Sequence, residues 1–301
     1  MPNGKVLGID IGGTKLAVGI VDLDSGEVNT SLRIPTPVHL GGTGIYQATL
    51  DLCRQLPEID HINAIGVCFG GQVYENRVLR SNQVEGWDDF PLEARLQEDL
   101  TFVPVRIVND ANAIAWLEWV KHKQDGLKSL FYVTVSTGVG GGFVLDGQIV
   151  EGPNGLASEI GHMILVPDGA DCVCGKKGCL EALAAGLAIS RAYAIETQQD
   201  ISAKEIAQRA NNGDEIAIRV LQVAGNHVGR ALAAANMLLD VDLFVLGGGV
   251  SRSGNIWWSA VMERLNEDTP YWGSVPKVTS SMFGELEGVL AGATATYHTA
   301  L

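Results

Sequence analysis

Apolar positions fall into short runs near the start of the chain. Residues 6–11 (VLGIDI) end in Gly12-Gly13, residues 15–23 (KLAVGIVDL) follow, and a turn at Asp24-Ser25-Gly26 leads into residues 27–34. Three strand-length runs separated by turn residues predict a β-meander that stops at Pro35 and Pro37. Residues 43–56 carry Ile45, Leu52 and Leu56 at helical spacing and end at Pro57. A short buried strand is expected over Ala64–Phe69, a helix over 92–100, a strand over 105–108 and a helix over 111–123. A second strand-rich stretch follows at 130–135 and 142–145. Helices dominate 180–239, a strand covers 243–246, and a last helix covers 286–298.

The order, meander and helices and then a second αβ block, predicts two related α/β halves. A cleft between such halves is the expected binding place. The boundaries read as 1–110 plus 287–301 for a small domain and 111–286 for a larger one.

Composition narrows the class. Apolar residues make up 46% and charged residues 19%, which excludes a disordered chain. Net charge is −14, against the basic face that nucleic-acid binding requires. Asp10, Lys15, Asp22 and Asp24 interrupt any signal-peptide core, and no apolar run is long enough for a membrane helix. The expectation is a cytoplasmic protein with no membrane partner. Asn29-Thr30-Ser31 is then a chance sequon. Glycine supplies 37 of the 301 residues, against a usual ~7%.

The glycines cluster between apolar runs. Asp10-Ile11-Gly12-Gly13-Thr14-Lys15 lies between two strands, so it is neither a P-loop nor a Rossmann turn. It reads as a plain β-turn, or as a hairpin tip whose amides face an anion. Ser136-Thr137-Gly138-Val139-Gly140-Gly141-Gly142 is a second tip, a flexible hairpin or a ligand-approach loop. Four glycines there cost roughly 0.5–1 kcal/mol each relative to alanine. Gly247-Gly248-Gly249 is the third cluster, suited to a nucleotide packed on backbone. Asn109-Asp110-Ala111-Asn112 spans a strand-to-helix junction. Asp110 either caps the helix or serves as a general base, an effect of roughly 10²–10⁴-fold.

The cysteines carry the most specific signal. Of the five, Cys172, Cys174 and Cys179 crowd together behind Glu159-Ile160-Gly161-His162, while Cys53 and Cys68 stand apart. Three Cys and one His are the ligand set of a closed structural zinc site. The spacing C-x-C-x₄-C differs from a zinc finger; a redox pair or free thiols are the other reading. Such a site shapes a loop and brings Glu159 and Glu181 together, a pairing suited to several hydroxyls.

Taken together these pieces resemble the ROK family of bacterial sugar kinases, repressors and open reading frames. The resemblance runs along almost the whole chain: DIGGTK at 10–15, GVCFGGQV at 66–73, Asn82 with Gly86-Trp87, NDAN at 109–112, TGVGGG at 137–142 and the E-x-G-H…C-x-C-G-x-x-G-C-x-E signature at 159–181. It implies an α/β fold of the actin/hexokinase (ribonuclease H-like) ATPase type, with two lobes around a cleft. It implies MgATP-dependent phosphorylation of a hexose hydroxyl, usually the 6-hydroxyl, with structural Zn²⁺. Asp110 would be the catalytic base. Gly71, Asn82, Asn109, Asp110, Glu159, His162 and Glu181 would line the sugar. Asp10, Gly12, Gly13, Thr14, Lys15, Thr137 and Gly138 would face the phosphates and their metal, and Gly248-Gly249 the adenosine. His162, Cys172, Cys174 and Cys179 would hold zinc.

Glucose is the default substrate; N-acetylglucosamine, N-acetylmannosamine and fructose are alternatives. A sugar-sensing regulator without catalysis is the competing function. Family repressors carry a helix-turn-helix ahead of the kinase-like part, and the first strand here starts at Val6. The sequence departs from the family at Cys68 and Gly70, where glycine and proline are usual. The expectation is a looser loop carrying Gly71 and a Cys68 side chain in the core. A homodimer is expected, with the Trp257-Trp258 pair either exposed at its interface or packed in the core.

Overall fold

The computed structural model describes residues 4–81, 84–100, 103–283 and 287–296. The chain divides into two units. The first holds Met1–Asp125, Gly142–Ala157 and Met282–Leu301; the second holds Gly126–Gly141 and Ser158–Ser281.

The first unit opens with the expected meander: β1 (Lys5–Ile11), β2 (Lys15–Asp22) and β3 (Glu27–Pro35). Helix α1 (Gly41–Cys53) starts and ends earlier than the apolar spacing suggests. Then come β4 (Ala64–Phe69), a small hairpin of β5 (Gln72–Tyr74) and β6 (Arg77–Arg80), α2 (Leu92–Asp99), β7 (Val105–Asn109) and α3 (Asp110–His122). The hairpin escapes the sequence pattern, because its strands are too short to show alternation. The sheet order is β3-β2-β1-β4-β7. The meander pairs are antiparallel, whereas β1, β4 and β7 are parallel. Strands β1 and β4 are buried on both faces, which explains their unbroken apolar runs, while edge strand β3 alternates.

Strand β8 (Ser129–Val135) begins the second unit's sheet, and β9 (Val139–Leu145) carries the chain back to the first unit, where it pairs with β10 (Gln148–Ile149). Helices α4 (Leu180–Ala184), α5 (Gly186–Thr197), α6 (Ala203–Asn211) and α7 (Glu215–Leu239) follow. Asp214 starts the long α7 by accepting hydrogen bonds from the amides of Ile216 and Ala217. Strand β11 (Leu243–Gly247) runs parallel to β8, helix α8 (Asn255–Asp268) packs on α7, and β12 (Lys277–Ser280) runs parallel to β11. Trp257 is fully buried beneath α7, which corrects the exposed reading for that residue, and its ring meets half-buried Trp258 edge-on. Among the described residues no helix is long and apolar enough to cross a membrane.

Helix α9 (Glu287–Ala295) closes the first unit over β1 and β4. Val289 and Ala293 pack on Val6, Ala17, Val21 and Ala64. The opposite face of the sheet carries the larger core, with Ile45 and Leu50 of α1 against Leu7, Ile9 and Val67. Under α9 the sheet presents glycine. A methyl on Gly8 would lie 2.3 Å from the Val289 carbonyl oxygen, and one on Gly66 would lie 1.9 Å from that of Gly292. Main chain therefore rests on main chain there, and overfilling such a contact typically costs 1–3 kcal/mol or more. Gly66→Ala is expected to lower stability by about 3 kcal/mol in urea denaturation. A loss under about 0.5 kcal/mol would contradict this packing.

Candidate active site

In the first unit the glycine hairpin tip is a built feature. The Gly12 amide donates to the Lys15 carbonyl at 3.0 Å, and the buried Thr36 hydroxyl donates to the Gly12 carbonyl at 2.6 Å. Thr14 stands exposed at the tip. Asp10, next to last in the buried strand β1 behind it, pairs with Lys15 Nζ at 2.9 Å. Burial pushes the Asp10 carboxyl above its ordinary range, and the Lys15 ammonium offsets only part of that rise. Its carboxylate rests on Gly288, where a methyl would lie 2.2 Å from Oδ2.

Beside this tip lies the departing loop. The Gly70 amide donates to the Ile11 carbonyl at 2.9 Å, a bond that the family's proline lacks the N–H to make. Asn109 Nδ2 donates to the Gly71 carbonyl at 3.0 Å. Trp87 is buried and meets Phe69 edge-on with centroids 5.0 Å apart. The loop is thus tied at both glycines, which answers the expected loosening, and Cys68 is fully buried as expected. A small pocket opens between Gly12, Gly13 and Gly70, walled by Phe69, Ser81 and Trp87.

Asp110 is not the helix cap. Asn109 takes that place, its Oδ1 accepting from the Asn112 amide at 3.1 Å, and Asp110 is the first residue of α3. Asp110 Oδ1 accepts from the Ala111 amide at 2.8 Å. A methyl on Gly70 would lie 3.6 Å from both Asp110 Oδ2 and Gly12 Cα, so the Asp110 carboxylate, the Gly70 loop and the Gly12 tip share one neighbourhood. Asn82 lies outside the described residues.

In the second unit the metal cluster assembles as expected. The ligand atoms of His162, Cys172, Cys174 and Cys179 all lie within 4.8 Å of one another. Cys172 Sγ is 3.6 Å from His162 Nδ1, and Cys174 Sγ is 3.7 Å from Cys179 Sγ. A tetrahedral zinc ion has edges of about 3.6 Å for sulfur to nitrogen and about 3.8 Å for sulfur to sulfur. The donor set fits that ion, and it assigns Nδ1 of His162 to the metal side. Nε2 then faces Glu159, 4.0 Å from its Oε2. Burial and the adjoining thiols push the Cys179 thiol up to about 12, so metal uptake expels protons and weakens on acidification.

Glu159 is aimed by its backbone. Ser158 adopts φ +69°, and the Ile160 amide donates to the Ser158 carbonyl at 2.7 Å around Glu159 at φ −69°, ψ 53°. That is an inverse γ-turn entered from a left-handed serine. Serine carries no sequence mark of that conformation, so sequence reasoning misses Ser158.

Thr137 and Gly138 form the tip between β8 and β9, closed by the Ser136 amide donating to the Gly138 carbonyl. Glu181 Oε2 accepts from the Val139 amide at 2.9 Å. Gly248 packs on the Val135 carbonyl, and Gly249 lies beside Ser136. Three glycines of these clusters serve packing within their own unit, which corrects the ligand-facing reading for them: Gly141 backs the Ser158 carbonyl, Gly142 the Ala111 carbonyl and Gly247 the Tyr132 ring.

The ROK family profile matches residues 6–299, and the chain belongs to that family. An N-acetylmannosamine kinase of Vibrio cholerae is 36% identical over 296 residues, covering 96% of this chain and 98% of that protein. A glucokinase of Halalkalibacterium halodurans is 34% identical over 270 residues, covering 83% and 81%. The crystal structure of a ROK family glucokinase from Streptomyces griseus with glucose and AMPPNP has 30% identity and TM-score 0.84, covering 96% of this chain and 98% of that one. The fold is therefore the α/β actin/hexokinase type that the sequence resemblance implied.

Two outcomes follow. Purified protein is expected to hold about one zinc per chain by metal analysis, and Cys174→Ser to lose it along with stability; a variant keeping both would refute the site. Ser158→Gly is expected to raise the unfolding free energy by about 1 kcal/mol by relieving the left-handed serine; a loss of stability would contradict that reading.

Proposed function

We propose that the protein is an ATP-dependent hexose kinase that transfers the γ-phosphate to a sugar hydroxyl, usually the 6-hydroxyl. The observation that carries the reading is the division of labour at the start of α3. Asn109 supplies the cap, so Asp110 presents a carboxylate beside Gly12 and Gly70 without having to secure the helix. A group so placed accepts the proton of an attacking hydroxyl.

In this mechanism Asn109, Glu159, His162 and Glu181 bind and orient the sugar hydroxyls. Bidentate and charge-assisted contacts of this kind hold the reacting oxygen in line with the phosphorus. Asp110 takes the hydroxyl proton as the oxygen attacks. The amides of Gly13 and Gly138, with Thr14, Lys15 and Thr137, receive the negative charge that spreads over the phosphoryl oxygens, and Gly12 shapes the tip that presents them. Mg²⁺, when bound with ATP, would add positive charge at those oxygens, and Asp10 is the carboxylate that would hold it. Gly248 and Gly249 offer backbone to the adenosine. His162, Cys172, Cys174 and Cys179 would hold zinc, which would shape the loop that presents Glu159 and His162. Glucose and N-acetylmannosamine are the leading substrates, in line with what the relatives are named for; N-acetylglucosamine and fructose follow.

Asp110→Asn keeps the shape and the hydrogen bond to Ala111 while removing the base. It is expected to bind sugar within about threefold of wild type by calorimetry, and to lose about 10²–10⁴-fold in kcat. Activity within tenfold of wild type would sink the assignment.

A further inference from the structure

The turn Ser136–Gly138 and the start of β9 sit on the segments that flank the metal cluster. The Gly186 amide donates to the Ser136 carbonyl at 2.7 Å. A methyl on Gly161, one residue before His162, would lie 2.0 Å from the Val139 carbonyl oxygen. The Leu180 amide donates to the Met163 carbonyl at 2.9 Å, which joins the two flanking segments. Between them stands Glu181, whose Oε2 accepts from the Val139 amide at 2.9 Å. Gly138 leaves the space this carboxylate occupies, since a methyl there would lie 2.4 Å from Oε2. Both polar groups of Val139 are thus fixed by this platform, one by Glu181 and one beneath Gly161.

We propose that Glu181 is a positioning residue for the phosphate-facing turn: Oε2 anchors Val139 and so sets Thr137 and Gly138, while Oε1 remains for a sugar hydroxyl. This rests on the kinase reading, which assigns Thr137 and Gly138 to nucleotide phosphate and Glu181 to sugar alone. One carboxylate then serves both ligands. Through the same group sugar and nucleotide affect each other's affinity by equal factors. A carboxylate oxygen that accepts from a backbone amide leaves that amide unpaired when it is removed, so losing it loosens the turn measurably.

The test measures two quantities on the full chain. The first is hydrogen exchange of the Val139 amide in ligand-free protein, by NMR. The second is the Kd of AMPPNP without sugar. Glu181→Ala is expected to speed Val139 exchange and weaken AMPPNP by about tenfold or more each. Glu181→Gln keeps an oxygen acceptor and is expected to restore both to within about threefold of wild type, although sugar binds more weakly in both variants. Gly138→Ala, which displaces the carboxylate but keeps it in the chain, is expected to reproduce the loss and covers the case in which Glu181→Ala does not fold. Unchanged Val139 exchange in folded Glu181→Ala or Gly138→Ala overturns the proposal. So does an unchanged AMPPNP Kd beside weakened sugar binding, which would leave Glu181 a sugar contact only. If wild-type protein binds no AMPPNP, the kinase reading fails, and Val139 exchange still decides whether Glu181 anchors the turn.

Discussion

Main chain lying directly on main chain is the constraint on which this structure depends. Helix α9 reaches β1 and β4 because Gly8 and Gly66 put no atoms in its way. The turn between β8 and β9 reaches the segments that flank the metal cluster because Gly161 and Gly138 leave room for a carbonyl and a carboxylate. Interiors this tightly packed do not absorb even one methyl without displacement. Part of the glycine excess is therefore backbone offered to other backbone.

That rigidity serves the chemistry. Phosphoryl transfer asks little covalent work of a protein and much positioning. Asp110, the Gly12 tip and the Gly70 loop are each tied to the ends of adjacent parallel strands, β1, β4 and β7. Parallel sheets of this kind place ligands beyond the carboxyl ends of their strands. In the second unit His162, Cys172, Cys174 and Cys179 gather a donor set that fits zinc within an irregular loop. Glu159 is aimed by a strained serine and a γ-turn, and Glu181 by the amide it holds.

Much of this is legible in the sequence. The meander, the buried β4 and the strand-to-helix junction at Asn109 show in apolar runs and breakers, because burial on both faces demands unbroken apolar strands. The metal cluster is legible because few other arrangements need three cysteines and a histidine so close. Other parts stay hidden for physical reasons. Which of Asn109 and Asp110 caps α3 turns on the single residue at which the backbone becomes helical. Ser158 gives no sign of its left-handed backbone. Gly141, Gly142 and Gly247 look like ligand loops but are filled by neighbouring protein atoms, since a glycine says that something comes close and not what. Gly70 reads as a weakness in the sequence, whereas in the fold its amide ties the loop to Ile11.

The central claim is that this site moves a phosphoryl group to a hexose hydroxyl. The most direct measurement is phosphorus NMR of the protein with ATP and, one at a time, glucose, N-acetylmannosamine, N-acetylglucosamine, fructose and mannose. The account predicts that with at least one sugar a hexose 6-phosphate and ADP appear together in equal amounts, and that little ADP forms without sugar. Absence of any sugar phosphate across the panel, or ADP forming equally without sugar, would contradict it.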